Sequence, residues 1–138
     1  MAGSLSAAEA VPVAEFRAAL RGFLRTSERN SRAAGLTPQR YLLLLMIKGA
    51  PDRSERSTVT ELAERLQLAQ STVTELVSRA EEIGLVERER SSEDGRVAIL
   101  RLTEEGDRRL AQVFTSNARE RETLSRAFEQ LQSTGLPT

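Results

Sequence analysis

The stretch TELAERLQLAQSTVTELVSRAEEIGLVERERSSEDGRVAILRL, residues Thr60 to Leu102, decides the fold. Thr60 is placed to cap a short helix, Glu61 to Leu66, and Gln67-Leu68-Ala69 reads as a turn. From Gln70 to Ile83 the apolar residues Val73, Leu76, Val77, Ala80 and Ile83 recur at helical spacing, which assigns them to one core-facing side. Gly84 stops that helix. Leu85 to Arg90 and Val97 to Leu102 are strand-prone runs, and Ser91 to Arg96 between them is turn chemistry with an Asp-Gly step. The pair predicts a β-hairpin. Two helices joined by about three residues, the second rich in short polar side chains, predict a helix-turn-helix ahead of it.

Working outward, Thr37 is a fitting N-cap and Pro38 a fitting first residue for a second helix, whose run Tyr41 to Ile47 is apolar nearly all round. Such a helix is enclosed by neighbours, and Gly49 ends it before the charged loop Ala50 to Arg56. Upstream, Val13, Phe16, Leu20, Phe23 and Leu24 predict a helix from about Pro12 to Arg32, with residues 1–11 a frayed end. Arg17, Arg21, Arg25 and Arg29 lie four apart on another of its faces, a solvated stripe or a partner for Glu120, Glu122 and Glu129. Downstream, Thr103 caps a helix whose first turn holds Glu104, Glu105 and Asp107, which suits the helix dipole. Its apolar stripe, Leu110, Val113, Phe114, Leu124, Phe128 and Leu131, is interrupted by the polar stretch Thr115 to Thr123, a bend or an exposed middle. The expected fold class is mainly α with a small β-hairpin wing.

The chain has 138 residues, 39% hydrophobic and 29% charged, which suits one domain with a modest core. It contains no cysteine and no histidine. That removes disulfides, thiol sensing, the usual zinc ligand sets and every imidazole-based triad, so neither metal nor cofactor is expected. The adjacent carboxylates Glu81-Glu82 and Glu104-Glu105 do not face each other on a helix, and no enzyme is expected. No apolar run approaches the roughly 20 residues that span a bilayer. The first ten residues lack a secretory signal's charged start and apolar run, so a cytoplasmic protein without a membrane partner is expected.

Twenty basic residues balance twenty acidic ones, and all the basic ones but Lys48 are arginine. The balance is uneven along the chain: residues 1–50 carry seven basic and three acidic side chains, residues 51–103 eight and eleven. A nucleic-acid reading therefore rests on the placement of a few arginines rather than on a basic footprint.

A helix-turn-helix followed by a hairpin is a winged helix. Its second helix fits the major groove, and the hairpin reaches a neighbouring minor groove whose negative potential attracts arginine. Here Leu62-Ala63-Glu64-Arg65-Leu66, Ser71-Thr72-Val73-Thr74, Gly84-Leu85-Val86-Glu87-Arg88, Asp94-Gly95-Arg96 and Leu102-Thr103-Glu104-Glu105-Gly106 resemble the MarR family (multiple antibiotic resistance regulator) of bacterial transcription factors. The resemblance covers about residues 36–110.

It implies a homodimer in which residues 12–34 and 104–133 form dimerisation helices and residues 36–103 a DNA-binding lobe. On that reading Gln70, Ser71, Thr72, Thr74, Glu75, Ser78 and Arg79 lie on or beside the groove-facing side of the recognition helix. Arg96 is the wing-tip arginine, oriented by Asp94 through a charge-assisted pair. Arg88 and Arg90 lie near phosphates on the wing strand, and Thr37 and Gln39 add phosphate contacts. Glu75 departs from the neutral or basic residue usual there; it either accepts from a cytosine amino group or pairs with Arg79 at i+4. The stretch after Leu131 is short for the family and implies a smaller dimer clamp.

The dimer interface is expected at Val13, Phe16, Leu20, Phe23, Leu124, Phe128 and Leu131, since each large side chain left in water would forfeit about 1.5–3 kcal/mol. The alternative is that the two helices pack only on each other within one chain. The resemblance thus implies a repressor on a pseudo-palindromic site in double-stranded DNA, released by a small aromatic or phenolic effector. The rival is a winged helix used for protein contact without an operator, which the zero net charge permits.

Overall fold

The computed structural model describes residues 3–90, 93 and 95–134. Six helices and one hairpin follow in the order α1 (Ala7–Ala33), α2 (Pro38–Lys48), α3 (Val59–Leu66), α4 (Gln70–Glu82), β1 (Val86–Arg90), β2 (Ala98–Leu102), α5 (Glu104–Ser116) and α6 (Ala118–Ser133). Cα packing divides the chain into two compact units: Ser31–Val113, here the lobe, and Met1–Asn30 with Phe114–Thr138, here the helix pair.

In the lobe, Leu43, Leu44 and Ile47 of α2, Leu62 of α3, Val73 and Val77 of α4, Leu85 and Leu100 are all fully buried and form one cluster. The enclosed reading of α2 holds for Tyr41, Leu43, Leu44 and Ile47 but not for Leu42, which is exposed; Thr37 caps the helix by accepting from the Arg40 N–H at 3.1 Å, Pro38 begins it and Gly49 ends it. β1 and β2 pair antiparallel from Val86↔Leu102 to Arg90↔Ala98. Ser57 adds a bridge that the sequence does not announce, exchanging backbone hydrogen bonds of 3.1 and 2.8 Å with Leu100. This bridge ties the loop before α3 to the base of the wing.

Several boundaries move, each for a local reason. α1 starts at Ala7 rather than Pro12, because Ser6 Oγ accepts from Glu9 N at 3.1 Å and Glu9 accepts back from Ser6. The start of α3 shifts to Val59, because Thr58 forms a capping box with Glu61 in place of a cap at Thr60. Ile83 is 46% exposed rather than in the core. At 100° per residue it lies roughly 80° round the helix from Val73, beyond the half-buried Leu76, and the chain leaves the helix there. Val97 precedes β2 and is exposed. The final helix breaks at Asn117, resolving the polar stretch into a bend.

The motif Leu102-Thr103-Glu104-Glu105-Gly106 has a structural cause. Thr103 Oγ donates to the Gly84 carbonyl at 2.6 Å and accepts from Gly106 N at 3.0 Å, while Thr103 N donates to the Leu85 carbonyl at 3.0 Å. A Cβ on Gly106 would fall 2.1 Å from that same Leu85 oxygen. The start of α5 is thereby stapled against the junction of α4 and β1.

The helix pair is built differently. Among its described residues no leucine, valine or phenylalanine is fully buried. Phe16 and Phe128 meet at 5.9 Å between ring centroids, tilted by 52°. Its buried polar side chains are Ser27 and Asn117; Asn117 accepts from Asn30 Nδ2 at 2.7 Å and donates to Ser27 Oγ at 3.2 Å.

Candidate nucleic-acid interface

The turn into α4 is tight because Gln67 adopts a left-handed backbone, φ 57 and ψ 46, an uncommon state for a residue other than glycine. Ala69 then opens α4 with no side-chain cap, so the N–H groups of the first turn keep their positive end toward solvent. With Val73, Val77 and Ala80 turned into the core, helical geometry leaves Gln70, Ser71, Thr72, Thr74, Glu75 and Arg79 exposed on the outer side, and Ser78 half-buried at its margin. Arg79 Nη2 lies 3.2 Å from Glu75 Oε1, the i,i+4 pair that the sequence left as one of two options. Both side chains are more than half exposed, so the pair contributes about 0–1 kcal/mol and yields to a better partner.

The N-terminus of α2 sits beside this edge. Thr37, Pro38, Gln39 and Arg40 line a cleft of about 520 Å³ with Thr72, Glu75, Leu76 and Arg79. Thr37 and Gln39 are exposed, as a phosphate contact requires. Sequence spacing passes over Arg40, which is half-buried in the cleft. Successive helical residues point 100° apart, and nothing in the sequence says whether Gln39 or Arg40 turns toward α4.

On the wing, Arg96 is exposed in the turn ahead of β2, while Asp94, its expected orienting partner, lies outside the described residues. Arg88 Nε is 2.7 Å from Glu81 Oε1 on α4, and Arg90 donates to the Gly95 carbonyl. Both are therefore engaged within the lobe, Arg88 bracing the wing against α4. Arg101 pairs with Glu87 across the strands at 2.7 Å, and Arg56 pairs with Glu89. Acidic partners neutralise Arg56 and Arg101 along the middle of the wing.

A second clasp, also unforeseen, holds the helices together. Arg65 of α3 donates to the Met46 and Gly49 carbonyls at 2.8 and 3.2 Å, satisfying the C-terminal end of α2. The shifted titrations lie away from α4. Glu55 and Asp107 raise the Lys48 amine, hydrogen bonding from Ser54 lowers the Asp52 carboxyl, and Arg108 lowers that of Glu105. No cluster of metal-ligating side chains occurs among the described residues.

A groove-sized helix with a polar outer edge, braced by a hairpin, is the architecture of a winged-helix DNA reader, and residues 34–97 match the sequence model of the MarR family. That segment, a little under half of the chain, is thus similar to the MarR family. It is 38% identical over 71 residues, 51% of this chain, to the organic hydroperoxide resistance transcriptional regulator of Bacillus subtilis (strain 168). It is 34% identical over 80 residues, 58% of this chain, to the HTH-type transcriptional repressor MdtR of the same organism. These matches span 46% and 49% of the relatives' own lengths. A crystal structure of a mutant MarR from E. coli complexed with operator DNA superposes with a TM-score of 0.67 at 20% identity, over 88% of this chain and 90% of that one. At that identity the likeness concerns the MarR fold. None of the described helices is long and apolar enough to cross a membrane.

Proposed function

We propose that this chain is a sequence-specific DNA-binding transcriptional regulator, a repressor that binds a pseudo-palindromic operator as a homodimer. The observation that carries the reading is α4: one side is locked into the lobe core, and the other offers Gln70, Ser71, Thr72, Thr74 and Arg79 to solvent beside an exposed wing arginine, Arg96. Short polar side chains and one arginine at that pitch match the donor and acceptor pattern of the major groove. Arg96 suits a narrow minor groove. Two relatives carry regulator or repressor in their names, and a fold relative is seen with operator DNA, which supports the same conclusion.

The homodimer draws support from the helix pair. Leu24, Phe114 and Phe128 are 52%, 52% and 46% exposed, an apolar surface that a second copy of the same helices would cover. Phe16 meets Phe128 within one chain, yet the side chains at Val13, Leu20, Phe23, Leu124 and Leu131 also stay partly open. Two-fold symmetry then sets half-sites about one helical turn apart, near 10 bp. A small aromatic or phenolic effector is the proposed release signal, acting by its different affinity for the bound and unbound arrangements. With no histidine or cysteine in the chain, an acidic effector would be held by arginine. Such a regulator works in the cytoplasm, and no catalysis is assigned to it.

Selection of bound duplexes from a random library tests the reading. The expected outcome is an enriched near-palindrome with that spacing, bound with a steep dependence on salt. A log–log salt slope near zero would instead favour protein contact as the use of the winged helix.

A further inference from the structure

We infer that Arg40 is a phosphate-clamping residue, completing with Thr37, Thr72 and Arg79 a site for one backbone phosphate of the duplex. The inference rests on the DNA-binding reading and adds to it a residue that neither the α4 edge nor the wing contains. Arg40 lines the cleft between the start of α2 and α4. Its Nε is buried and has no hydrogen-bond partner among the described residues. No ion pair engages its guanidinium there either, whereas Arg79 is tied to Glu75. A guanidinium presents its donors in a planar fork matched to two oxygens of one phosphate. A buried N–H without an acceptor is a cost carried by the unliganded protein, and a small shift of the fork toward the cleft mouth, where an oxyanion enters, relieves it.

The cleft charges favour the same occupant. Arg40 and Arg79 face a single carboxylate, Glu75, so the lining carries one net positive charge. The Thr37 hydroxyl accepts from Arg40 N at 3.1 Å and keeps its own proton to donate. The Thr72 hydroxyl is exposed on the facing helix. Leu76 adds an apolar side chain to the lining. Arg40 itself addresses the DNA backbone rather than a base edge. It fixes the depth and register of α4 and carries no sequence information itself.

The test compares wild type, Arg40→Met and Arg40→Lys on the selected duplex across a salt series, with circular dichroism as the check on folding. Arg40→Met is expected to lower affinity about tenfold on every sequence and to reduce the salt slope by about 1, without changing the selected motif. Arg40→Lys is expected to keep the slope and still lose affinity, because an ammonium lacks the fork. Replacing single phosphates by uncharged methylphosphonates should reveal one position per half-site that weakens wild type and leaves Arg40→Met unaffected. A natively folded Arg40→Met with wild-type affinity and slope overturns the assignment, as does a loss confined to particular base pairs. If wild type binds no duplex at all, the underlying reading fails separately. The clamp is then judged by whether inorganic phosphate shifts the Arg40 Nε–Hε resonance, and an unmoved resonance overturns it.

Discussion

The two units of this chain bury opposite things. The lobe puts leucine, isoleucine and valine inside, with Leu43, Leu44, Ile47, Leu62, Val73, Val77 and Leu100 shut off from water. Most of its described polar side chains face out, with Ser31 and Ser57 buried as exceptions. In the helix pair, Asn117 and Ser27 are buried and hydrogen-bonded, while Phe114, Phe128 and Leu24 stand half in solvent. The lobe is a finished core. By contrast, the helix pair carries a buried polar network and leaves large apolar side chains exposed. The contrast gives the lobe a packed core of its own, and on the homodimer proposed above the helix pair gains its cover from a second copy.

The hardest blow to the contrast is aimed at the staple. Gly106→Ala places a methyl group 2.1 Å from the Leu85 carbonyl oxygen, and backbone cannot yield as a flexible side chain does. The lobe is expected to lose about 3 kcal/mol or more, at the upper end for overpacking, read as a fall in thermal midpoint. A variant that melts with wild type would mean that the start of α5 is not the lobe's closing contact.

Next comes the open side. Phe128→Ala should leave the lobe folded and shift the oligomer toward monomer, with a cost of about 1.5–3 kcal/mol per chain from the lost burial. Sedimentation velocity over a range of concentrations checks this. A variant with unchanged self-association would place the covering surface elsewhere. Smaller in structural terms is Arg96→Ala: no change in melting or assembly, and a loss of about 1–3 kcal/mol in duplex affinity, greatest where A·T pairs flank the selected site. Equal losses on A·T and G·C flanks would count against a minor-groove role.

The smallest effect belongs to Lys48, the sole lysine. Glu55 at 2.6 Å and Asp107 at 3.1 Å raise its amine above the ordinary value. A raised folded pKa adds stability that is fully present below the unfolded lysine pKa, about 10.4, and is lost as pH climbs through the folded one. With the side chain 40% exposed, the contribution is that of a surface pair, about 0–1 kcal/mol. Lys48→Met should therefore be slightly less stable than wild type at neutral pH, and the gap should close in strong alkali. A gap that persists there would assign the loss to packing.

Much of the lobe was legible because its signals are local. Thr37-Pro38 and the period of Val73, Val77 and Ala80 each act within a few residues. The errors arose where two local signals competed. Thr58 and Thr60 both precede α3, and only Thr58 has its glutamate three residues on, at Glu61. Pro12 looked like a helix start, and the capping box of Ser6 and Glu9 lies upstream of it. Of the candidate site, the exposed edge of α4 could be read from the phase of its buried residues. The engagement of Arg88 with Glu81 and the burial of Arg40 could not, since each depends on a neighbour distant in sequence or on a helix facing.

The elements, their order and the polar edge of α4 follow from periodicity and capping, which are properties of adjacent residues. Which arginines are spoken for, why residue 106 must lack a side chain and that Asn117 folds inward depend on packing. Those facts follow from atoms that meet through space, and chain order does not record such meetings.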